Sequence, residues 1–254
     1  MALAARTAAM RRLIHNSSWY AVTGVFFEAL YSPNGWLGAR IDELDAALAR
    51  SFGSGGGAEL AVHVRRGDKL KERLAGEAIT LLSPLEIAAL VNTTASARGL
   101  QRVAVLAEPP FNVTELAELL DLRRAAVLDS TEMTFPVYTS VDAASSRRLL
   151  MAVVDPDAFL PAPPTEDGGW AQREPGAFLF ATLWSLSRAR SIVINSKSNL
   201  GGLLAALAVV RSQGGGAPGG PPDIADMDGA LETSELAAGR YFCRVDWGPR
   251  RGLC

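Results

Sequence analysis

The chain has 254 residues, of which 48% are hydrophobic and 20% are charged, and its formal net charge is −2. These values are typical of a globular protein that buries a core, in one domain or in two small ones. The charge argues against a general attraction to nucleic acid, and no apolar run approaches the roughly 18 residues of a membrane span. Two remote histidines and two C-terminal cysteines, Cys243 and Cys254, argue against a metal site.

The N-terminal part of the chain predicts two helices, over residues 18–31 and 36–50, on either side of a turn. The second helix carries an apolar stripe, because four large aliphatic residues recur at helical spacing: Leu37, Ile41, Leu44 and Leu48. The Gly- and Ser-rich residues 51–57 predict a flexible linker. We therefore divide the chain into an N-terminal helical segment with its linker, residues 1–57, and a second domain, residues 58–254.

Strands and helices alternate in the second domain. Ser83 and Glu86 form a capping box with a proline between them, and Asn112 is placed to cap another helix. The predicted order is strand 59–65, helix 84–97, strand 102–107, helix 113–122 and strand 125–128. This alternation predicts an α/β fold with a doubly wound parallel sheet, Rossmann-like in its organisation.

The alternation breaks between residues 130 and 170, where a single helix is predicted over residues 143–153. Two Asp-x-Asp sequences, 155–157 and 226–228, resemble metal-binding motifs, but their contexts favour loops. The remaining elements are predicted as helix 176–189, strand 191–195, helix 199–211 and an edge strand from residue 241.

A cluster of charge follows the first buried strand directly. Arg65, Arg66 and Asp68 lie just beyond its carboxyl end, where open α/β sheets bind ligands. Adjacent guanidinium groups suit a phosphorylated ligand, and the aspartate would orient one of them. The alternative is a solvated charge cluster with no ligand.

A second candidate site lies in the turn that follows the strand at 191–195. Ser196, Ser198 and Asn199 come just before or at the start of the last helix, whose free N–H groups and positive dipole end attract anions. Ser198 would cap this helix, contact a phosphate, or do both. Together with Arg65 it would form a pyrophosphate clamp.

The sequence His63-Val64-Arg65-Arg66-Gly67-Asp68-Lys69 resembles the first signature motif of the α1,6-fucosyltransferases and of the related α1,2- and protein O-fucosyltransferases. Residues 186–199 are similar to their later strand-and-serine motif, and the likeness covers roughly residues 19–207 with a divergent middle. The resemblance implies the nucleotide-binding half of a GT-B glycosyltransferase. Such an enzyme transfers fucose from GDP-fucose to a glycan or glycoprotein acceptor, without a metal or other cofactor, in the Golgi lumen or elsewhere in the secretory pathway.

The resemblance also implies roles for single residues. His63 would contribute to guanine binding, although a lone histidine in a strand is otherwise a satisfied core residue. Arg65, Arg66 and Asp68 would form the catalytic set, in which the first arginine grips the donor diphosphate and stabilises the departing GDP. The turn at Ser196, Ser198 and Asn199 would contact the β-phosphate or the fucose.

Two positions depart from the family pattern. Glu108 stands where the family has a pair of aspartates, and Thr182 stands where an aspartate reads the guanine edge. With only residues 1–57 ahead of the motif, the acceptor-binding domain is expected to be largely absent from a truncated product. Three interpretations follow: a fucosyltransferase-like domain, a catalytically impaired GDP- or glycan-binding module, and an α/β interaction domain without a ligand.

Overall fold

The structure of the protein is a computed structural model. It describes residues 33, 35–53, 56–65, 81–107, 111–125, 135, 137–140, 148–154, 175–195, 198–213 and 222–227. Five helices lie in this part of the chain: α1 (Gly35–Phe52), α2 (Pro84–Arg98), α3 (Val113–Leu119), α4 (Pro175–Leu186) and α5 (Asn199–Gln213). The strands are β1 (Leu60–Val64), β2 (Arg102–Ala107), β3 (Leu122–Ala125), β4 (Val137–Ser140), β5 (Leu150–Val154), β6 (Ser191–Ile194) and β7 (Asp223–Asp226).

Local sequence signals fix the ends of two helices. Ser83 Oγ accepts a hydrogen bond from the Glu86 N–H at 3.3 Å, and Glu86 Oε2 accepts one from the Ser83 N–H at 2.7 Å. This is the predicted capping box of α2. Asn112 Oδ1 accepts from the Glu115 N–H at 3.1 Å and caps α3 as predicted. That helix ends at Leu119 rather than at residue 122, because Asp121 turns with a φ of 52°.

The strands form one seven-stranded sheet in the order β3-β4-β5-β2-β1-β6-β7. Every pairing among β5, β2, β1, β6 and β7 is parallel, whereas β4 pairs antiparallel with both β3 and β5. The predicted α/β class is therefore confirmed, and the sheet is mostly parallel with an antiparallel edge. A parallel sheet must be covered on both faces, which the helices achieve.

The helices divide between the two faces of the sheet. Buried residues of α1, α4 and α5 share a core with Ala61 of β1, whereas those of α2 and α3 pack with Val62. Successive residues of a strand face opposite sides, so this alternation is what a doubly wound sheet requires. The predicted stripe on α1 is confirmed, since Ile41, Leu44 and Leu48 are buried and Leu37 packs against them.

The prediction for the middle of the chain was wrong. The helix expected over residues 143–153 is absent; Leu150–Val154 instead form β5, whose five residues are all buried. A short apolar run that is buried on both sides carries no periodicity that separates strand from helix. The strand expected at 125–128 is β3 and ends at Ala125, while β4 was not predicted.

Further differences occur at the ends of the described regions. Asp226, predicted to lie in a loop, is the last residue of β7, and Met227 after it is buried. Helix α1 continues to the buried Phe52, two residues into the predicted linker. The predicted helix at 18–31 and the edge strand from residue 241 lie outside the described residues, and the division at residue 57 remains a prediction. None of the described helices has the length and apolar character needed to cross a membrane.

Glu59 joins three strands at the amino edge of the sheet. Its Oε2 accepts hydrogen bonds from the backbone N–H groups of Gln101 at 2.8 Å and Arg102 at 3.2 Å. Its Oε1 forms ion pairs with the guanidinium groups of Arg102 and Arg190. Burial alone would raise the pKa of Glu59, but the hydrogen bond from Gln101 and the charge of Arg102 outweigh it and hold that pKa below its ordinary value.

We predict that Glu59→Gln destabilises the protein by about 1 kcal/mol at neutral pH, because an amide replaces an acceptor of charge-assisted hydrogen bonds. A lowered folded-state pKa means that the stabilisation is complete above the ordinary value of 4.5 and is lost as the pH falls through the folded value. Denaturant unfolding at pH 7 and at about pH 3 measures this difference. The control is Glu43→Gln in the surface pair with Arg40, which should have little effect at either pH. An equal loss for Glu59→Gln at both pH values would contradict the assignment.

Candidate functional site

The connections of the sheet reverse direction between β1 and β6. The chain leaves β1 through α2 towards β2, on one side, and leaves β6 through α5 towards β7, on the other side. These two helices cover opposite faces of the sheet. In open α/β sheets, such a reversal opens a crevice at the carboxyl ends of the two strands, and ligands bind there. We call this place the β1–β6 crevice; it is bounded by Arg65, Asn195 and Ser198.

Arg65 contacts both other boundary residues of the crevice. Its backbone N–H donates to Asn195 Oδ1 at 3.1 Å, which links the end of β1 to the end of β6. Its guanidinium Nη1 lies 3.4 Å from Ser198 Oγ, within reach of a long hydrogen bond. The structure therefore brings together Arg65 and Ser198, which the sequence predicts as the two halves of a clamp.

Ser198 also begins helix α5. Its carbonyl accepts from the Gly202 N–H at 2.8 Å, and its Oγ lies 3.5 Å from the N–H of Gly201. Ser198 is thus the cap of the helix, and the same hydroxyl faces Arg65. The backbone N–H groups of Asn199 and Leu200 precede the first intrahelical hydrogen bond, so they remain available as donors at the positive end of the helix dipole.

Gly201 permits the close approach of α5 to the strands. A Cβ atom at this position would lie 2.4 Å from the carbonyl oxygen of Asn195 and 3.3 Å from His63 Nδ1. The first distance is far below a van der Waals contact with a backbone atom that cannot rotate away. Only glycine fits here, and its absence of a side chain sets the width of the crevice.

His63 lies in β1, is completely buried and faces α5. Its imidazole lies beside Gly201, one turn into the helix that Ser198 caps. The ring is therefore close to the backbone that forms the crevice. Whether it contacts a base remains a prediction.

Thr182 lies in α4 and is also completely buried. Within the part of the chain that the structure describes, its hydroxyl has no hydrogen-bond partner. A buried hydroxyl without a partner costs free energy, which a ligand group or a water would offset. The role of Thr182 in reading a base remains a prediction.

The other predicted site residues divide into two groups. Asn199 is the first residue of α5 and is exposed next to Ser198. Arg66, Asp68 and Ser196 lie outside the described residues, as does Glu108.

Sequence reasoning missed Asn195 and Gly201. Asn195 was predicted only as the last residue of a strand, yet its side chain joins β1 to β6. A signal was present, since a polar amide directly after the apolar run Ile192-Val193-Ile194 is unlikely chemistry for a packed strand end without a partner. Gly201-Gly202 inside a predicted helix was a second signal, because glycine within a helix is unfavourable unless a close approach requires it.

Contacts behind the crevice hold the helices in place. Asp45 of α1 accepts hydrogen bonds from Ser185 Oγ and Arg188 Nη1 at the end of α4. The guanidinium of Arg211 in α5 lies 4.9 Å from the ring centre of Trp184 in α4, a cation–π contact. The three helices on this face therefore form one support for the start of α5.

The described residues include no cluster of three or more histidine, cysteine, aspartate or glutamate side chains suited to hold a metal ion. No family model, curated protein or solved structure matches the chain. The site is therefore interpreted from its own geometry and from the sequence resemblance.

We predict that Gly201→Ala displaces the start of α5, because its new methyl group cannot fit beside the carbonyl of Asn195. Overpacking of this kind costs about 1–3 kcal/mol, which denaturant unfolding will measure. Gly38→Ala in α1 is the matched control, since a Cβ there meets nothing within 4 Å. That control should be stabilised by about 0.5–1 kcal/mol, as expected for alanine in a helix. If both variants are stabilised alike, α5 does not approach the strands this closely.

Proposed function

We propose that the β1–β6 crevice binds the diphosphate of GDP-fucose and that the chain acts as a fucosyltransferase-like glycosyltransferase domain. The observation that carries the proposal is the 3.4 Å contact between the Arg65 guanidinium and Ser198 Oγ across the crevice. This contact joins the two sequence motifs that resemble the fucosyltransferases. They are separated by 133 residues in the chain.

The chemistry of these groups suits a pyrophosphate. A guanidinium presents a planar fork of donors that matches phosphate oxygens. The first N–H groups of α5 add neutral donors and a partial positive charge on the opposite side of the crevice. A cation and a helix N-terminus together balance much of the charge of a diphosphate without a divalent ion, in line with the metal-free reaction that the resemblance implies.

The proposed reaction breaks the bond between fucose C1 and an oxygen of the β-phosphate, whose electron pair stays on GDP. A bond forms between C1 and the acceptor hydroxyl oxygen, which loses its proton. Negative charge therefore develops on the departing diphosphate, where Arg65 and the start of α5 would stabilise it. The acceptor is a glycan or glycoprotein by resemblance to the family.

A second candidate function is GDP or glycan binding without transfer. One observation favours it: Thr182, where the family has a carboxylate, is an uncharged and completely buried residue. A carboxylate accepts both the N1 and N2 donors of guanine, whereas a single hydroxyl satisfies only part of that edge. A weakened contact to the base would leave phosphate recognition intact and reduce selectivity for the donor.

We predict that Arg65→Ala weakens the binding of GDP by more than about 1.5 kcal/mol, because it removes a charge-assisted contact to phosphate. Isothermal titration calorimetry of the full chain gives the affinity. Arg123→Ala is the control, because Arg123 is exposed on the edge strand β3, away from the crevice. Binding of GDP by Arg65→Ala with unchanged affinity would refute the proposed phosphate site.

We also predict that the protein prefers GDP over ADP by less than tenfold, or about 1.4 kcal/mol, since Thr182 offers one hydroxyl to the guanine edge. Thr182→Asp should raise this preference, and Thr182→Val, which has nearly the same shape, should abolish what remains. Calorimetry with both nucleotides measures the ratio, and thermal unfolding checks that each variant is folded. A wild-type preference of about a hundredfold would show that another residue reads the base.

A further inference from the structure

The side-chain amide of Asn195 is oriented by the backbone of Arg65. A backbone N–H is only a donor, so the atom of Asn195 that lies 3.1 Å from it is the carbonyl oxygen Oδ1. The amide is planar, and fixing Oδ1 also fixes Nδ2 on the other side of the group. The backbone oxygen of Asn195 accepts from the Ser198 N–H at 3.0 Å, which holds the residue at the start of the turn.

This arrangement leaves Nδ2 with two N–H donors and no acceptor among the described residues. Asn195 is only 7% exposed, so few solvent molecules reach it. A nearly buried amide donor normally has a partner, because an unsatisfied donor costs about 1–3 kcal/mol in proteins. The unsatisfied group lies in the crevice between Arg65 and Ser198, where the sheet reverses direction.

We propose that Asn195 is a ligand-binding residue whose Nδ2 donates a hydrogen bond to an oxygen of a bound phosphate or pyrophosphate group. The proposal rests on the proposed function and extends it, because it names a neutral donor beside the cation of Arg65. A phosphate oxygen is an acceptor only, which matches a group that has only donors left. Asn195 thereby has two roles: its oxygen fixes the end of β1, and its nitrogen contacts the anion.

The alternative is that Asn195 affects binding only through Arg65, by holding its backbone. The two roles differ in what happens once the Arg65 side chain is removed. If Asn195 acts only by positioning that side chain, Asn195→Ala has no effect on affinity in an Arg65→Ala background. If Nδ2 contacts the ligand, the effect persists there.

The experiment is a double-mutant cycle of Asn195→Ala and Arg65→Ala, with GDP and inorganic pyrophosphate as calorimetric ligands for the full chain. We expect Asn195→Ala to weaken pyrophosphate binding at least about threefold in both backgrounds, the size of a modest hydrogen bond. Asn92→Ala, on the exposed side of α2, is the control and should bind as the wild type does. An Asn195→Ala effect that vanishes in the Arg65→Ala background would overturn direct contact.

A further variant covers the case in which Asn195→Ala does not fold. Asn195→Asp keeps the acceptor for the Arg65 N–H and nearly the same shape, but replaces the donors by a negatively charged oxygen. It should fold, by thermal unfolding, and lose pyrophosphate affinity at least about tenfold. Unchanged affinity in this variant would also overturn the proposal.

The two ligands separate this proposal from the proposed function. Binding of pyrophosphate but not of GDP would refute the nucleotide-sugar function, while the Asn195 variants would still decide the role of Nδ2. Binding of GDP that depends on Arg65 but not on Asn195 would refute only the role of Nδ2. A wild-type chain that binds neither ligand would refute both.

Discussion

The close approach of α5 to the ends of β1 and β6 is the constraint on which the candidate site depends. At Gly201 the helix leaves no room for one further carbon atom beside the Asn195 carbonyl. This approach places the helix N-terminus, the Arg65 backbone and the Ser198 hydroxyl around one point. A helix shifted outward by the width of a methyl group would separate these groups. The geometry of the crevice is therefore a property of backbone packing as much as of its polar side chains.

The two ends of β1 are held by different kinds of interaction. At the amino end, Glu59 joins neighbouring strands through ion pairs and charge-assisted hydrogen bonds. At the carboxyl end, Arg65 meets a neutral amide and a neutral hydroxyl. Charge is thus compensated where the sheet is anchored. Neutral partners support the arginine where a negatively charged ligand is proposed to bind.

Features with a local cause could be predicted from the sequence. The capping box at Ser83, the cap at Asn112 and the strands at β1, β2 and β6 depend on residues within a few positions of one another, so short patterns specify them. The pairing of Arg65 with Ser198 could be expected because parallel strands bring their carboxyl ends to one edge.

Features with a non-local cause could not be predicted in the same way. The run Leu150–Val154 is a strand because β2 and β4 pair with it, and an apolar hexamer without such neighbours reads equally well as a helix. The antiparallel edge of β3 and β4 follows from the same pairing. Asn195 escaped prediction because its partner is the backbone of a residue 130 positions away. Only the strand order shows that the two meet.

The strand order also has a consequence for how the protein is made. β1 is the central strand, and its two neighbours lie on either side of it in space but far apart in the sequence: β2 follows after one helix, whereas β6 is 130 residues downstream. During synthesis, β1 therefore has one open edge until residues 191–194 have left the ribosome. Closing so long a loop is slow relative to local helix formation. The crevice is thus the last part of the sheet to form, and the nascent chain cannot bind its ligand until the fold is nearly complete.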